Sequence, residues 1–438
     1  MGRKRAHAPL NVFLNNRYVG RLTKASSGAT EFAYDASWLD WEQAVPISLS
    51  LPLRDGRYIG APVFAVFDNL LPDFQPLRLR VAERVGAAGT DAYSLLSAIG
   101  RDCVGALQFL PDGEAPVPGD EITGSPVTQD DIAAILANLA RAPLGLDADI
   151  DRDFRISIAG AQEKTALLFR DGQWLRPHGT TPTTHILKPP IGRLPNGIDL
   201  SNSVENEFFC MKLMAAFGIP TARCEIQVFG ETKALVVERF DRRWTRDRRL
   251  LRLPQEDCCQ ALGIPSAQKY QNQGGPGIAA IMELLKGSDD PDADRLTFFK
   301  SQLIFWLIGA TDGHAKNFSI AIGPQGRFRL TPLYDVLTVQ PTFDQRHIGH
   351  NAFKLSMSVG NNRKYRVLDI HGRHFMETAI ECGLNRAEAM QAIDEIRDRC
   401  ATLFDEIALS PNFPGEIAES VTRAAQSRAE RLNLAGLE

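Results

Sequence analysis

Long apolar runs are missing from this sequence of 438 residues. A membrane-spanning helix needs about 20 consecutive apolar residues, and no stretch of the chain approaches that length. The first five residues include three basic ones and are followed by no apolar region of the kind that a secretory signal contains. The sequence therefore predicts a soluble protein of the cytoplasm, with no membrane partner.

Paired cysteines and excess positive charge are also absent. The seven cysteines form no Cys-x-x-Cys pair and lie near no histidine cluster, which argues against a disulfide framework and a zinc site. The formal net charge of −4 gives no overall positive field of the kind that draws a protein to nucleic acid. Any contact with DNA is therefore expected to be local.

What the chain does have is the balance of a globular protein, with 44% hydrophobic and 23% charged residues. Its length predicts two or three domains. A run rich in proline and glycine, 111–126, predicts a linker, after which Thr128 and Asp131 are spaced to cap a helix. We predict three regions: 1–125, then 126–250 with several short strands, and a mostly helical 251–438.

Local patterns predict several elements. Asn15 and Asn16 separate two apolar runs and tolerate the left-handed backbone of a tight turn, which predicts a β-hairpin. Alternating apolar residues over 47–53 predict a half-buried strand. Helical spacing over 206–217, followed by Gly218, predicts a helix with a glycine at its end. A strand, a turn and a second strand are predicted around 318–331.

The most informative segment is 305–318, where an apolar helix gives way to a polar loop. Asp312 precedes Asn317 by five positions, which is the spacing of the catalytic loop of protein kinases. The predicted hairpin that follows leads to Asp335. Either aspartate alone is equally compatible with a turn cap or a strand end, but the order favours a kinase. We predict that Asp312 accepts the hydroxyl proton and that Asn317 and Asp335 hold magnesium beside ATP.

A kinase also needs a lysine that meets the α- and β-phosphates of ATP. Lys188 ends a predicted strand in the correct chain order, so we predict this role for it. On the helix that follows, Glu205 or Glu207 is expected to pair with it, and Glu207 is the preferred candidate. A solvated lysine at a strand end is the alternative.

Two further segments are predicted to contact ATP. A loop of small residues joins two predicted strands, and its backbone amides can approach phosphate oxygens closely. The predicted contacts in this loop are Ala159, Gly160, Ala161 and Gln162. The loop departs from both G-x-G-x-x-G and the Walker A pattern, and a plain hairpin is the alternative. Downstream, Glu238 and Phe240 end a strand that is predicted to be the hinge beside adenine.

Four separated stretches are together typical of one known family. They are SIAGAQEKT at 157–165, VERFDRR at 237–243, LPQED at 253–257 and GATDGHAKN at 309–317. The first half of the chain adds FDNLLPD at 67–73 and VGALQF at 104–109. In these motifs the chain resembles the HipA family. The resemblance implies an α+β, protein-kinase-like bilobal fold, related to phosphatidylinositol kinases, with an N-terminal α/β subdomain and a mostly helical C-terminal lobe.

The resemblance also implies a function. It predicts a serine/threonine-protein kinase that acts as the toxin of a type II toxin–antitoxin system and causes growth arrest and multidrug tolerance. The implied substrate is glutamyl-tRNA synthetase or another protein, and Ser157 matches the serine that the family autophosphorylates. Lys188, Asp312, Asn317 and Asp335 fall on the family's phosphate-binding, catalytic and magnesium positions. We further predict that His314 and Tyr334 contact the nucleotide.

The implied partner is a HipB-like helix-turn-helix antitoxin, which represses its operator together with the kinase, so that DNA binding is mainly a property of the complex. A cluster of arginines is predicted either to touch DNA phosphates in that complex or to be solvated and salt-bridged. Its members are Arg239, Arg242, Arg243, Arg246, Arg248, Arg249 and Arg252. Two other functions stay open: an aminoglycoside-type small-molecule phosphotransferase, and an ATP-binding pseudokinase that serves as a corepressor scaffold.

Overall fold

The computed structural model describes residues 7–117, 121–141, 162–194 and 197–434. The α-helices are α1 (Ala36–Leu39), α2 (Ala61–Asp68), α3 (Gln75–Arg84), α4 (Ala92–Ile99), α5 (Gln129–Arg141), α6 (Ser203–Ala216), α7 (Cys258–Ala261), α8 (Ile278–Leu284), α9 (Pro291–Ile308), α10 (Gln340–Asp344), α11 (Gly372–Glu381), α12 (Arg386–Arg399), α13 (Leu403–Glu406) and α14 (Gly415–Glu430). The strands are β1 (Leu10–Leu14), β2 (Arg17–Lys24), β3 (Thr30–Tyr34), β4 (Arg57–Ile59), β5 (Leu107–Pro111), β6 (Gly124–Pro126), β7 (Thr165–Arg170), β8 (Gln173–Pro177), β9 (His185–Lys188), β10 (Gly192–Arg193), β11 (Asp199–Leu200), β12 (Cys224–Phe229), β13 (Thr232–Glu238), β14 (Arg242–Trp244), β15 (Leu250–Arg252), β16 (Gln255–Asp257), β17 (Ser319–Ile322), β18 (Phe328–Leu330), β19 (Lys354–Val359) and β20 (Lys364–Arg366).

The chain divides into two compact units. The first unit consists of 1–189, 227–267 and 320–328, and the second of 190–226, 268–319 and 329–438. The chain therefore passes from one unit to the other several times. The division into 1–125, 126–250 and 251–438 stays a prediction. Among the described residues, no helix is both long enough and apolar enough to cross a membrane.

The first unit begins with a five-stranded sheet in the order β4-β3-β2-β1-β5. The hairpin predicted at its start is confirmed, because β1 and β2 pair antiparallel around Asn15 and Asn16. Their φ angles of 47° and 67° put both residues in the left-handed region that a two-residue hairpin turn requires. Helices α2, α3 and α4 follow in the chain.

The strand predicted over 47–53 is wrong. The structure has a loop there, with one isolated bridge between Ser48 and Leu51. Two buried side chains take the backbone amides that a strand partner would bind: Tyr34 Oη accepts from Ile47 N at 2.9 Å, and Glu256 Oε1 accepts from Leu49 N at 2.8 Å. Ile47 and Leu51 are therefore buried without forming a ladder, while Leu49 and Leu53 are half-buried.

A second, six-stranded sheet of the first unit has the order β12-β13-β9-β7-β8-β6. Helix α5 packs on it, and the cap predicted for this helix is confirmed: Thr128 N donates to Asp131 Oδ2 at 2.8 Å and Asp131 N donates back to Thr128 Oγ1 at 3.1 Å. The shared core consists of Ile132, Leu136, Leu167, Trp174, Leu187, Phe229, Ala234 and Val236. This packing fixes β9, the strand that ends at Lys188.

The second unit is mainly helical, and its central element is α9, whose residues from Leu303 to Ile308 are all buried. Asp290 begins the helix by accepting a hydrogen bond from Ala293 N. At the other end Arg428 of α14 donates to the carbonyl of Leu307 at 2.6 Å. A cation at this position satisfies an orphan carbonyl and suits the negative end of the helix dipole.

Two other predictions for the second half of the chain are confirmed. Helix α6 covers the stretch predicted over 206–217 and is followed by Gly218 at φ 82°, which lets the backbone turn out of the helix. Strands β17 and β18 are the pair predicted around 318–331. The pair β19 and β20 was not predicted from the sequence, and β19 proves to support the candidate site.

Candidate active site

The candidate catalytic loop starts where α9 ends. Gly309 has φ 69°, a left-handed conformation that costs a side-chain residue about 1 kcal/mol, and it closes the helix by donating to carbonyls one turn back. The loop then continues through Thr311, whose carbonyl accepts a hydrogen bond of 2.7 Å from Ser356 Oγ of β19. A strand that is distant in sequence thus holds the backbone just before Asp312.

The loop from Asp312 to Asn317 is closed by its own hydrogen bonds. His314 N donates to the carbonyl of Asp312 at 2.8 Å and also lies 3.2 Å from Asn317 Oδ1. Asn317 N donates back to the carbonyl of His314 at 2.9 Å. As a result Asp312 is exposed and Asn317 is buried, both on one short turn.

The two predicted magnesium ligands lie side by side, since Asn317 Nδ2 is 3.5 Å from Asp335 Oδ2. Asp335 has φ 60°, which is uncommon for a residue with a side chain and is often found at functional sites. One carboxylate and one amide oxygen are hard oxygen donors that suit magnesium, which usually completes its shell with water and phosphate oxygens. The residue types present therefore fit this ion, with Asn317 Oδ1 as the amide donor, because Nδ2, which faces Asp335, offers no lone pair to a cation. Within the described residues, no group of three or more His, Cys, Asp or Glu side chains suited to a metal occurs.

Tyr334 and His314, predicted to contact the nucleotide, both support the loop. Tyr334 Oη donates to the carbonyl of Lys316 at 2.8 Å and lies 2.5 Å from Ser319 Oγ. His314 is buried, and its ring meets the ring of Tyr270 edge to face, with centroids 4.9 Å apart. Their contact with a nucleotide stays a prediction.

Two of the predicted phosphate-binding residues, Gln162 and Lys188, belong to the described part of the first unit. Lys188 is buried at the end of β9, in a strand flanked by β13 and β7. Gln162 Nε2 donates to the carbonyl of Pro189, the residue that follows Lys188 in the chain, at 3.1 Å. Glu238, predicted for the hinge, is exposed at the end of β13, opposite His185.

The roles of several other predicted site residues are not tested by the structure. Ser157, Ala159, Gly160 and Ala161 lie outside the described residues. Phe240 follows β13 and is half-buried. Glu205 and Glu207 are both buried on α6 of the second unit. The roles assigned to these residues therefore stay predictions.

Two protein-family models match this chain. The family model described as the HipA-like C-terminal domain matches residues 156–404, a stretch that includes Lys188, Asp312, Asn317 and Asp335. A second model, the HipA N-terminal domain, matches residues 10–110. This chain belongs to the HipA family. The family resemblance of the sequence motifs is thereby confirmed.

Named HipA-family relatives include kinases. A protein of Sinorhizobium fredii named as a kinase, Y4mE, is 34% identical over 400 residues, covering 91% of this chain and 92% of the relative. The serine/threonine-protein kinase toxin HipA of Shewanella oneidensis is 29% identical over 343 residues, covering 75% of each chain. A solved complex of Shewanella oneidensis HipA, HipB and operator DNA contains a chain that matches with a TM-score of 0.79 at 25% identity, covering 96% of this chain and 97% of that one.

The mixed helix and sheet fold predicted from the sequence is thus the fold of HipA.

The seven residues of the arginine cluster fall into two groups, one buried and one exposed. Arg239, Arg242 and Arg252 are buried and form ion pairs with Asp102, which also accepts from Thr183 Oγ1 at 2.7 Å. The other four arginines of the cluster are exposed. The salt-bridged interpretation therefore holds for the three buried members and for two exposed ones, since Arg248 pairs with Asp171 at 2.9 Å and Arg249 with Asp247 at 2.7 Å.

Charge compensation explains why these arginines tolerate burial. A second carboxylate, Asp241, lies 2.8 Å from Arg239 and 3.0 Å from Arg242. Burial alone would raise the pKa of Asp102, but the three arginines outweigh it and hold the pKa well below its usual range. The cluster ties the VGALQF motif to the VERFDRR motif inside the first unit, since Asp241 Oδ2 also accepts from Gly105 N at 2.7 Å.

The other HipA motifs of the first unit also have structural roles. Asp68 of FDNLLPD pairs with Arg78 at 2.6 Å, and Asn69 donates to the carbonyl of Ile264 at 2.8 Å. Glu256 of LPQED binds the amide of Leu49. Burial raises the pKa of Glu256 to about 8, although the hydrogen bond from Leu49 opposes this shift. These motif residues hold the HipA N-terminal region to the segment that follows the predicted hinge.

One contact of the candidate base was not predicted. Tyr270 Oη donates a hydrogen bond of 2.7 Å to Asp312 Oδ1. The two residues are 42 positions apart, and Tyr270 lies in an irregular stretch between short 3-10 turns, so neither periodicity nor motif spacing indicates the pair.

Proposed function

We propose that this protein is the toxin kinase of a toxin–antitoxin pair, and that it transfers the γ-phosphate of ATP to a serine or threonine hydroxyl of a protein with the help of magnesium. The observation that carries the proposal is the geometry of one loop. Asp312 is exposed on it, and Asn317 of the same loop lies 3.5 Å from Asp335, within the stretch matched by the HipA-like C-terminal domain.

The proposed chemistry needs positioning more than covalent help. Phosphoryl transfer passes through a loose transition state, so the protein mainly aligns the reactants and neutralises charge on the phosphate oxygens. Asp312 is the proposed general base, which accepts the proton of the acceptor hydroxyl. A base in this role contributes about 10²- to 10⁴-fold to the rate. Its exposure suits a group that must meet a protein substrate.

Asn317 and Asp335 are the proposed magnesium ligands. The ion would neutralise charge on the phosphate oxygens when it is bound. The hydrogen bond from His314 N orients the Asn317 amide, and a carbonyl oxygen has a second lone pair for a cation. Lys188 is the proposed partner of the α- and β-phosphates, and Gln162, which binds the carbonyl of the neighbouring Pro189, is a proposed phosphate contact beside it. Glu238 and Phe240 are the proposed adenine contacts.

A HipB-like antitoxin is the proposed partner. The support is the likeness to the HipA chain in a solved complex with HipB and operator DNA, which covers 96% of this chain. We propose that operator DNA is bound mainly through the antitoxin, since the net charge of −4 gives this chain no general attraction to nucleic acid. The four exposed arginines near residues 243–249 are the proposed place for any direct contact with phosphates.

Glutamyl-tRNA synthetase is the proposed substrate, and its phosphorylation is the proposed cause of growth arrest and drug tolerance. The support is the likeness to a serine/threonine-protein kinase toxin of the same family. Ser157, which matches the autophosphorylated serine of the family, is the proposed regulatory site.

The deciding test compares the purified protein with its Asp312→Asn variant. Both are incubated with magnesium and γ-labelled ATP, with and without glutamyl-tRNA synthetase, and the products are mapped by mass spectrometry. We expect label on the synthetase and on Ser157 with the wild-type protein and at least a 100-fold slower transfer with the variant, which loses the proton acceptor without a change in volume. Equal rates would exclude Asp312 as the base, and transfer to an aminoglycoside but to no protein would favour a small-molecule kinase.

The role of Ser157 has its own test. Ser157→Ala is expected to stay active longer than the wild-type protein during preincubation with ATP and magnesium, because it cannot be modified at this position. The measurement is the rate of synthetase labelling after increasing preincubation times. The same loss of activity in both proteins would contradict the regulatory role while leaving the kinase proposal intact.

A further inference from the structure

Tyr270 stands in direct contact with the proposed base. Its Oη donates to Asp312 Oδ1 at 2.7 Å, and both residues belong to the second unit. A hydrogen bond to a charged acceptor is shorter and stronger than one between neutral groups. A carboxylate offers about four lone-pair sites, so one donated bond does not exhaust its capacity to accept a proton from a substrate.

The ring of Tyr270 is fixed against the same loop. It meets the buried ring of His314 edge to face, with an interplanar angle of 81°, which is a favoured geometry for two rings. The ammonium of Lys269 lies 5.2 Å from the centroid of the Tyr270 ring, within the range of a cation–π contact. Contacts with His314 and Lys269 therefore hold the Tyr270 ring in the position from which its hydroxyl reaches Asp312.

Hydrogen bonds and a tight turn also restrict the backbone of the segment that contains Tyr270. Gln271 Oε1 accepts hydrogen bonds from the backbone N and the Oγ of Ser358, at 2.7 and 3.1 Å. A Cβ at Gly275 would lie 1.9 Å from the carbonyl oxygen of Gln268 and 2.8 Å from that of Tyr270, so this turn accepts only glycine. Such a turn holds Tyr270 in one place.

One strand supports both partners of the contact. Ser358 of β19 binds the side chain next to Tyr270, and Ser356 of the same strand binds the carbonyl of Thr311, next to Asp312. Two residues on one face of a strand, spaced by two, thus hold two loops in register. The distance between the tyrosine hydroxyl and the carboxylate is therefore set by a common support.

We propose that Tyr270 is a positioning residue for phosphoryl transfer, which fixes the Asp312 carboxylate in the orientation that accepts the proton of the incoming hydroxyl. The proposal rests on the kinase function proposed above. In the step, the acceptor oxygen bonds to the γ-phosphorus, the bond from that phosphorus to the bridging oxygen breaks, and ADP leaves with the electron pair. The acceptor's proton goes to Asp312, while Tyr270 keeps its own proton throughout.

If the Tyr270 hydroxyl inhibited the base instead of positioning it, its removal would change the rate in the opposite direction. A tyrosine hydroxyl that merely occupied the place of the acceptor would block the base, and its removal would raise the rate. A positioning hydroxyl stabilises the productive orientation, and its removal lowers the rate. Because a base contributes about 10²- to 10⁴-fold and misorientation removes part of that, we expect a loss of about tenfold to a hundredfold.

The experiment uses the full chain as wild type, Tyr270→Phe, Asp312→Asn and the double variant. Tyr18→Phe, which removes a hydroxyl from the five-stranded sheet of the first unit, is the matched control. Rates of transfer from γ-labelled ATP with magnesium are measured to glutamyl-tRNA synthetase and to the chain itself, and the affinity for ATP is measured by calorimetry. Thermal melting of each variant reports on folding.

We expect kcat to fall about tenfold to a hundredfold in Tyr270→Phe, with the affinity and KM for ATP changed less than about twofold, since the hydroxyl acts only on the base. We expect the double variant to be no slower than Asp312→Asn, because Tyr270 acts through that residue. Tyr18→Phe should match the wild type.

Three results would overturn the proposal. An active wild type with an equally fast or faster Tyr270→Phe variant would exclude the positioning role and leave the kinase function standing. A double variant in which both losses add fully would show that Tyr270 does not act through Asp312. A wild-type protein that binds ATP but labels neither the synthetase nor itself would remove the proposed function, and the role of Tyr270 with it.

Discussion

Replacing Glu256 with glutamine is expected to remove part of the pH dependence of this protein's stability. Glu256 is completely buried, and burial raises its pKa from an ordinary 4.5 to about 8 in the folded protein, while Asp257 nearby adds to the shift. The unfolded chain loses the proton near pH 4.5, but the folded protein keeps it. A raised folded pKa means that the contribution to stability is full below pH 4.5 and is lost as the pH rises to about 8.

The magnitude follows from the width of this window. Each pH unit between the two pKa values changes the free energy of unfolding by about 1.4 kcal/mol, so the whole window amounts to about 5 kcal/mol. Between pH 5 and 7 the expected loss from Glu256 is about 3 kcal/mol. Glutamine keeps an oxygen that can accept from Leu49 N, and it does not titrate.

Thermal melting of the wild type and Glu256→Gln at pH 5, 6, 7 and 8 measures the effect. The melting temperature of the variant relative to the wild type is expected to rise with pH by roughly 3 °C between pH 5 and 7, and to level off above pH 8. Titrating groups shared by both proteins cancel in this difference. Glu83→Gln, the same change at an exposed position of α3, is the control and should give a constant difference. A difference for Glu256→Gln that does not depend on pH would refute the reasoning.

Two further predictions concern buried charge and loop geometry. Asp102→Asn is expected to destabilise the protein by about 3–5 kcal/mol, because three buried arginines lose a shared carboxylate, whereas the exposed Asp112→Asn should cost less than about 1 kcal/mol; unfolding in urea measures both, and equal costs would contradict the cluster's role. Gly313→Ala is expected to lower kcat by about a hundredfold, because a Cβ there would lie 2.4 Å from the Phe305 ring and displace the loop beside Asp312. Gly323→Ala, where the added Cβ meets only ordinary contacts, is the matched control, and equal rates for both variants would show that the loop absorbs the methyl group.

Local sequence patterns predicted those parts of the fold that local physics controls. The turn at Asn15 and Asn16, the cap formed by Thr128 and Asp131, and the glycine after α6 were all predicted correctly. In each case the residue that determines the structure lies within a few positions of the structure itself. The strand predicted over 47–53 failed for the complementary reason, since Glu256 is about 200 positions away and takes one of its amides.

The sequence by itself predicted which residues form the candidate site, but not the contacts that support them. Asp312 and Asn317 are five positions apart whatever the fold, so their spacing can be read from the sequence. The order of the motifs likewise indicated the HipA family from the sequence. Only the tertiary structure showed that Asn317 meets Asp335 and that Tyr270 binds Asp312, because these pairs are 18 and 42 positions apart. Only it divided the arginine cluster into buried and exposed members. Burial of apolar surface packs helices and strands together and brings side chains that are far apart in the chain into contact. Hydrophobic periodicity and motif spacing do not predict which of these side chains will be in contact.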